Sequence, residues 1–371
     1  MKIVAVGYTG TGSSAVVHLL KEYQNCKDID SKNYEHNVFY VPHGLFDLED
    51  VLLKNNSFYK SDAAINDFYK EMMNLYETDY YWFGGLKNRL GEKFKNNIDD
   101  FINSLVVYVR SGGWSYDYSF KFGLKNIPKD IMKLILGRKV NKFGCRVNTD
   151  GADKIVRYAF PTKDEFYSNA KKFVDGYFEA LGYKKDEVYI FDQIIEPQQL
   201  YRINNYFDDD IKFIVVDRDP RDIFLRYKYI WSKTYNYFLM PPDAEKFQEF
   251  YRKMYSTEQY IEDPRVLRIH FEDLIYNYED TVEIIENFVG KEVLGEHRYA
   301  KQMFVPEQSI QNTQLFNANN DWKEEVAPIT NGLLHEKLYD FPYFYSPDVS
   351  KVTDPNPDTD KIKDSVDKLM K

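Results

Sequence analysis

The chain is poor in cysteine, has no long apolar run and carries no excess of positive charge. Cys26 and Cys145 are its only cysteines, too few for a disulfide framework or a thiolate metal site, which suits a reducing compartment. No apolar run approaches the length of a bilayer span, so stable membrane insertion is not expected. The first residues lack the basic-then-apolar pattern of a signal region, and the expected location is the cytoplasm. A formal net charge of −10 argues against non-specific binding to nucleic acid or to an anionic membrane surface. A polyanionic ligand would need positive potential built locally, from backbone amides and a few arginines.

What is present is an ordinary globular composition. With 371 residues, 43% hydrophobic and 29% charged, the chain can bury a sizeable core as one large domain or as a domain carrying an insertion. The 32 tyrosines offer flat amphipathic surfaces suited to sugar rings or bases. Lys, Asn and Ile are abundant too, so a shared nucleotide bias accounts for the tyrosines equally well.

The first dozen residues organise the rest. Lys2-Ile3-Val4-Ala5-Val6 is a short apolar, β-branched run that reads as a buried strand. It leads into Gly7-Tyr8-Thr9-Gly10-Thr11-Gly12-Ser13-Ser14 and then into the apolar helical face of Ala15 to Leu20. Strand, glycine-rich turn and helix start aim backbone N–H groups and the helix dipole at a phosphate or sulfate. The glycines let the backbone approach an anion closely, and Thr11, Ser13 and Ser14 add hydroxyls. The spacing fits the phosphate-loop frame G-x-x-x-x-G-K-[ST], but Ser13 stands where the lysine belongs. That makes the loop a poor Mg-nucleoside-triphosphate site. A plain βα turn that needs glycine for close packing is the structural alternative.

Asn37-Val38-Phe39-Tyr40-Val41 reads as a second strand, with Pro42-His43-Gly44 at its end and Asp47 just beyond. Ligands of open α/β sheets bind beyond the carboxyl ends of strands, which makes His43 a candidate for proton transfer. From about Ser57 to Gly182 the strand–helix alternation stops. Ser61–Glu77, Glu92–Val109 and Thr162–Leu181 carry apolar residues at helical spacing, and the last opens with a Thr162/Glu165 capping box. Between them Arg110, Trp114, Tyr116, Tyr118 and Lys121 form a loop set that either meets a substrate or is simply packed and solvated. The α/β rhythm then returns with strands at Val188–Asp192, Lys212–Asp217 and Val266–Phe271. After Asp217 comes Arg218-Asp219-Pro220, in which Asp219 is placed to cap a helix and Pro220 to start it. Arg218 leaves a strand end and Arg226 lies about two turns along that helix, a plausible pair for a second phosphate. Ion pairs with Asp217, Asp219 and Asp222 are the structural alternative.

The fold class expected is α/β: a P-loop-type parallel sheet flanked by helices, with a mostly helical insertion. Residues 1–56 and 183–346 form the nucleotide-binding core, 57–182 the insertion that shapes an acceptor pocket, and 347–371 a loose tail rich in Pro, Asp and Lys.

These stretches together resemble the sulfotransferases that use 3′-phosphoadenosine 5′-phosphosulfate as donor. Gly10-Thr11-Gly12-Ser13-Ser14 resembles that family's 5′-phosphosulfate loop, and Ile214 to Asp222 its 3′-phosphate motif. Phe271-Glu272-Asp273-Leu274 with Phe288-Val289-Gly290 is similar to its Y-E-D-L…F-L-G segment, and Asp321-Trp322-Lys323 to its D-W-K segment. Phe304 to Asn312 is similar to the bacterial branch found in surface-polysaccharide pathways. The resemblance covers the start and the second half of the chain, not the insertion. It implies sulfuryl transfer to a hydroxyl of a glycan or glycolipid. Thr9, Gly10, Thr11, Gly12, Ser13, Ser14, Arg218, Arg226, Trp322 and Lys323 would hold the donor. His43 would be the base, with Asp47 as second choice, and no metal is expected. Two departures stand out: Gly10 occupies the position of the family's loop Lys/Arg, and Arg226 that of a serine. A non-catalytic nucleotide- or glycan-binding member of the same fold and a P-loop kinase are the alternatives.

Overall fold

The computed structural model describes residues 1–29, 34–80, 83–114, 131, 154–232, 240–333 and 337–352. Its strands are β1 Lys2–Gly7, β2 Cys26–Asp28, β3 Val106–Ser111, β4 Ile155–Ala159, β5 Val188–Asp192, β6 Ile211–Asp217 and β7 Val266–His270. Its principal helices are α1 Ser13–Leu20, α2 Phe58–Glu77, α3 Glu92–Leu105, α4 Lys163–Leu181, α5 Pro220–Arg226, α6 Ala244–Ser256, α7 Tyr278–Val289 and α8 Asn320–Glu325. Two compact units result: Met1–Phe39, Tyr80–Phe83 and Leu181–Lys371 form one, Tyr40–Asp79 and Gly84–Ala180 the other.

The first unit is built on a five-stranded sheet in the order β2-β5-β1-β6-β7. Every pairing in it is parallel, with Lys2 opposite both Tyr189 and Ile211 and Phe213 opposite Val266. β1 is the centre strand and is buried at every position, which is why its sequence is a continuous apolar run and does not alternate. Ile3 and Ala5 pack with Val16, Leu19 and Leu20 of α1 and with Ile285 and Val289 of α7. This is the parallel sheet flanked by helices of a P-loop-type α/β fold. Among the described residues no helix is long and apolar enough to cross a membrane.

The second strand of the sheet is not where the apolar run places it. Asn37–Phe39 is a buried 3-10 turn, and the edge strand is the short, largely exposed β2, paired to β5 from Cys26 to Asp28. The β-branched and aromatic run buries Val38 and Phe39 just as a strand would, and periodicity over so few residues cannot separate the two. His43 therefore follows a turn, not a strand, and itself has a φ of 63°.

In the second unit α2, α3 and α4 meet through aromatic rings. Phe68 lies 5.7 Å from Phe101 and 5.9 Å from Phe173, and Phe101 stacks on Phe173 at 4.9 Å. Ser57 caps α2 through the Lys60 amide, and Thr162 and Glu165 form the reciprocal capping box of α4. The expected helix Glu92–Val109 ends earlier, at Leu105. Val106, Val107, Tyr108 and Val109 instead form β3, paired antiparallel with β4, because a β-branched run favours the pleated surface over the crowded turns of a helix.

Candidate functional site

The turn from β1 into α1 is fixed by what its glycines touch. Gly10 has a φ of 86° and Gly12 one of 98°, left-handed conformations that cost other L-residues dearly. Space is closed as well: a Cβ on Gly10 would stand 2.8 Å from the Tyr227 ring, and one on Gly12 2.8 Å from the Phe271 ring. A Cβ on Gly7 would meet the Thr11 hydroxyl at 2.3 Å. Thr11 is fully buried, and both its amide and its hydroxyl donate to the Tyr8 carbonyl, at 3.0 and 2.8 Å. The Thr11 hydroxyl thus closes the turn. Ala15 donates to Gly12 to start α1. Among the described residues the amides of Gly10, Gly12, Ser13 and Ser14 have no protein acceptor. Unpaired N–H groups at a helix start form an anion-binding cradle.

Three other segments of the same unit close on this turn. Tyr8 is anchored by its hydroxyl to Glu258 at 2.6 Å. Arg268 grips both Glu258 and Asp217, the last residue of β6. Asp219 caps α5 by accepting the Arg221 amide and also pairs with the Arg221 guanidinium through both oxygens. Asp222 accepts the amides of Gln314 and Leu315, at 2.8 and 2.7 Å. The segment around Asn312 is thereby tied to α5.

Arg218 and Arg226 meet on Asn312. Arg218 is 4% exposed; it donates to the Gly10 carbonyl at 3.0 Å and to the Asn312 carbonyl, and it lies 4.7 Å over the Phe271 ring. Arg226 donates to the Asn312 side-chain oxygen and lies 5.4 Å from the Trp231 ring. A π-helical turn at Tyr227–Trp231 follows directly and brings Tyr227 against Gly10. Trp322 of α8 stacks on Tyr229 at 4.8 Å, while Lys323 is exposed.

Buried and half-buried carboxyls flank the turn, and no sequence motif marks most of them. Burial pushes Asp192, at the end of β5, up to about 7 against the opposing pull of the Ser13 hydroxyl, and its Oδ1 has no partner. Glu35 is raised to about 8, by burial first and then by Asp192 and Glu196. Glu272 is fully buried, accepts the Asp219 amide at 2.9 Å through Oε1 and leaves Oε2 unpaired. Burial, then Asp219, raises it to about 8. Asp222 is raised from the usual range for the same two reasons.

His43 and Asp47 belong to the second unit and are both exposed. The His43 amide donates to the Asp47 carboxylate at 2.7 Å, so Asp47 closes the turn. Arg110 donates to the Tyr158 hydroxyl and the Gly113 carbonyl, and Trp114 to Asp62. Tyr116, Tyr118 and Lys121 lie outside the described residues, as does the tail from residue 353.

A family model described as "Sulfotransferase family" matches residues 164–294, the stretch that carries β5, β6, α5, β7 and α7. Over that stretch the chain is similar to the sulfotransferase family. Two solved structures are similar to it. The sulfotransferase domain of the Synechococcus PCC 7002 olefin synthase has 11% identity, a TM-score of 0.33 and coverage of 92% of this chain and 94% of that one. The sulfotransferase domain from the curacin biosynthetic pathway has 11% identity, a TM-score of 0.31 and coverage of 82% and 81%. No curated protein matches the sequence.

Proposed function

We propose that the chain is a cytoplasmic sulfotransferase that takes the sulfuryl group of 3′-phosphoadenosine 5′-phosphosulfate to a hydroxyl of a glycan or glycolipid, in the manner of the bacterial polysaccharide branch. The observation that carries this reading is the unpaired amide cradle at Gly10, Gly12, Ser13 and Ser14, with a buried guanidinium against the Gly10 carbonyl. Amides and a cation suit a group that stays anionic throughout transfer, and a cradle closed by aromatic rings holds it in one place. The donor set is Thr9, Gly10, Thr11, Gly12, Ser13, Ser14, Arg218, Arg226, Trp322 and Lys323. When bound, the donor supplies the sulfuryl group, and the chain orients it and removes the acceptor's proton. Residues 57–182 are assigned the choice of acceptor.

For that proton His43 is the first candidate and Asp47 the second. Glu35, half-buried and bridged through its backbone to Asp192 at the end of β5, is a further candidate, its carboxyl raised by burial first. The decisive assay supplies sulfur-labelled donor with a panel of glycans and hydroxyl-bearing lipids and reads the products by mass spectrometry. His43→Ala lowering turnover by about 10²-fold, with donor binding kept, assigns the base to His43. The same loss in Glu35→Gln alone moves it to Glu35. Labelled product from no acceptor, despite donor binding, leaves a nucleotide-binding protein. A larger thermal shift with Mg-ATP than with adenosine 3′,5′-bisphosphate favours a kinase.

A further inference from the structure

Two basic side chains leave opposite ends of α5 and finish on one residue. Arg218 precedes the helix and Arg226 ends it, so roughly 10 Å of helix lies between their backbones. Yet Arg218 donates to the Asn312 carbonyl and Arg226 to the Asn312 side-chain oxygen. We propose that Asn312 is a positioning residue: it yokes the two guanidiniums so that both serve one anionic group, the 3′-phosphate of the donor. The inference rests on the donor reading above and deepens it, naming the residue through which Arg226 joins Arg218.

Asn312 is held in place by contacts that involve neither arginine. It ends the 3-10 turn Ile310–Asn312 and is 5% exposed. The next residue, Thr313, is fully buried and meets the Tyr276 hydroxyl at 2.7 Å. Asp222, on α5 between the two arginines, accepts the amides of Gln314 and Leu315. Each guanidinium is then held in a second direction by a ring: Arg218 lies 4.7 Å over Phe271, and Arg226 lies 5.4 Å from Trp231. A ring against its face and an acceptor at its edge leave a planar guanidinium little freedom to turn.

Bringing two cations onto one residue costs energy through their repulsion. Asp222 and Glu272, which both act electrostatically on Arg218, offset part of it. Asn312 adds direction to this balance without adding charge. An aspartate at 312 would still accept from Arg226, but its carboxylate would compete with a phosphate for the guanidinium and repel that phosphate as well. A neutral amide orients the fork and leaves the competition out.

The test titrates the full-length protein with adenosine 5′-phosphate and with adenosine 3′,5′-bisphosphate; the ratio of the two affinities reads the second phosphate. Asn312→Asp keeps the shape and the acceptor for Arg226, whereas Asn312→Ala removes that acceptor. The ratio is expected to fall about 10-fold in Asn312→Asp and at least about threefold in Asn312→Ala, with the monophosphate bound within about twofold of wild type in both. A role confined to bracing the fold predicts a wild-type ratio in Asn312→Asp, or an equal loss for both ligands, and either result overturns the proposal. A double-mutant cycle with Arg226→Met supplies the second check. If the Asn312 side chain acts through Arg226, Asn312→Ala changes the ratio no further once Arg226 is gone; an additive loss overturns the proposal. Should Asn312→Asp fail to fold, that cycle decides alone. Wild-type protein that binds the bisphosphate no better than the monophosphate sinks the donor reading itself, a failure distinct from a wild-type preference that Asn312 leaves untouched.

Discussion

Two buried carboxyls of the sheet unit are treated in the opposite way to one of the helical unit. In the helical unit Asp62 is buried but saturated: its two oxygens accept from Asn66, the Arg157 amide and the Trp114 indole, at 3.0, 2.8 and 2.8 Å. In the sheet unit Asp192 and Glu272 are equally withdrawn from water, yet each keeps an oxygen without a partner. A satisfied buried acid is architecture, since every donor around it loses a partner if it goes. An unsatisfied one is tolerated only where something other than stability holds it there. Both unpaired oxygens belong to the unit that carries the glycine turn.

The comparison can be broken most forcefully in the helical unit. Phe173→Ala empties the ring cluster shared with Phe68 and Phe101 and is expected to cost about 3–5 kcal/mol in chemical denaturation. A cost under about 1 kcal/mol would mean the unit does not depend on that core. Next in size is Gly12→Ala, which forces a side chain into a left-handed conformation against Phe271. A loss of about 1–3 kcal/mol is expected, along with at least a 10-fold loss of affinity for adenosine 3′,5′-bisphosphate by calorimetry, on the order of the charge-assisted bonds removed.

The contrast itself is sharpened by a pair of variants. Asp62→Ala strands three donors and should cost about 1–3 kcal/mol, whereas Asp192→Asn should cost less than about 1 kcal/mol. Equal costs would erase the distinction. A further check lies in the pH profile. Glu272 has a folded value raised to about 8 from the ordinary 4.5. Between those limits the folded chain holds a proton that the unfolded chain has released, so stability falls as pH rises through that window. The slope from this one group is at most about 1.4 kcal/mol per pH unit, with nothing lost below pH 4.5 and no further loss above 8. Glu272→Gln should flatten that part of the melting-temperature profile, and an unchanged profile would assign it elsewhere.

How far these features could be read beforehand depends on the range of the interaction behind each. β1, β5 and β6 are largely apolar runs because both sheet faces are covered there, and a run of that kind is visible in any order of strands. β2 is Cys-Lys-Asp, polar and short, and becomes a strand only because β5 offers it an edge. Asn37–Val41 and Val106–Val109 share the same β-rich composition, yet one coils into a 3-10 turn and the other pairs with β4. The glycine turn was legible because its demand is local. Its walls were not: Phe271 and Tyr227 press on Gly12 and Gly10 from far along the chain, and Arg218 meets Asn312 across 94 positions. Glu35 escaped notice because its acidity is set wholly by what surrounds it.

The ring of Tyr227 against Gly10 has a consequence for how this loop can change. A basic side chain cannot be installed at position 10 by one substitution, because the new residue meets the phenol ring before its charge is of any use. Only after Tyr227 has been trimmed, and the left-handed backbone has relaxed, does the change become neutral. The two replacements are expected to be strongly non-additive. In that sense the phenol acts as a ratchet, holding the chain to a loop with no basic side chain of its own.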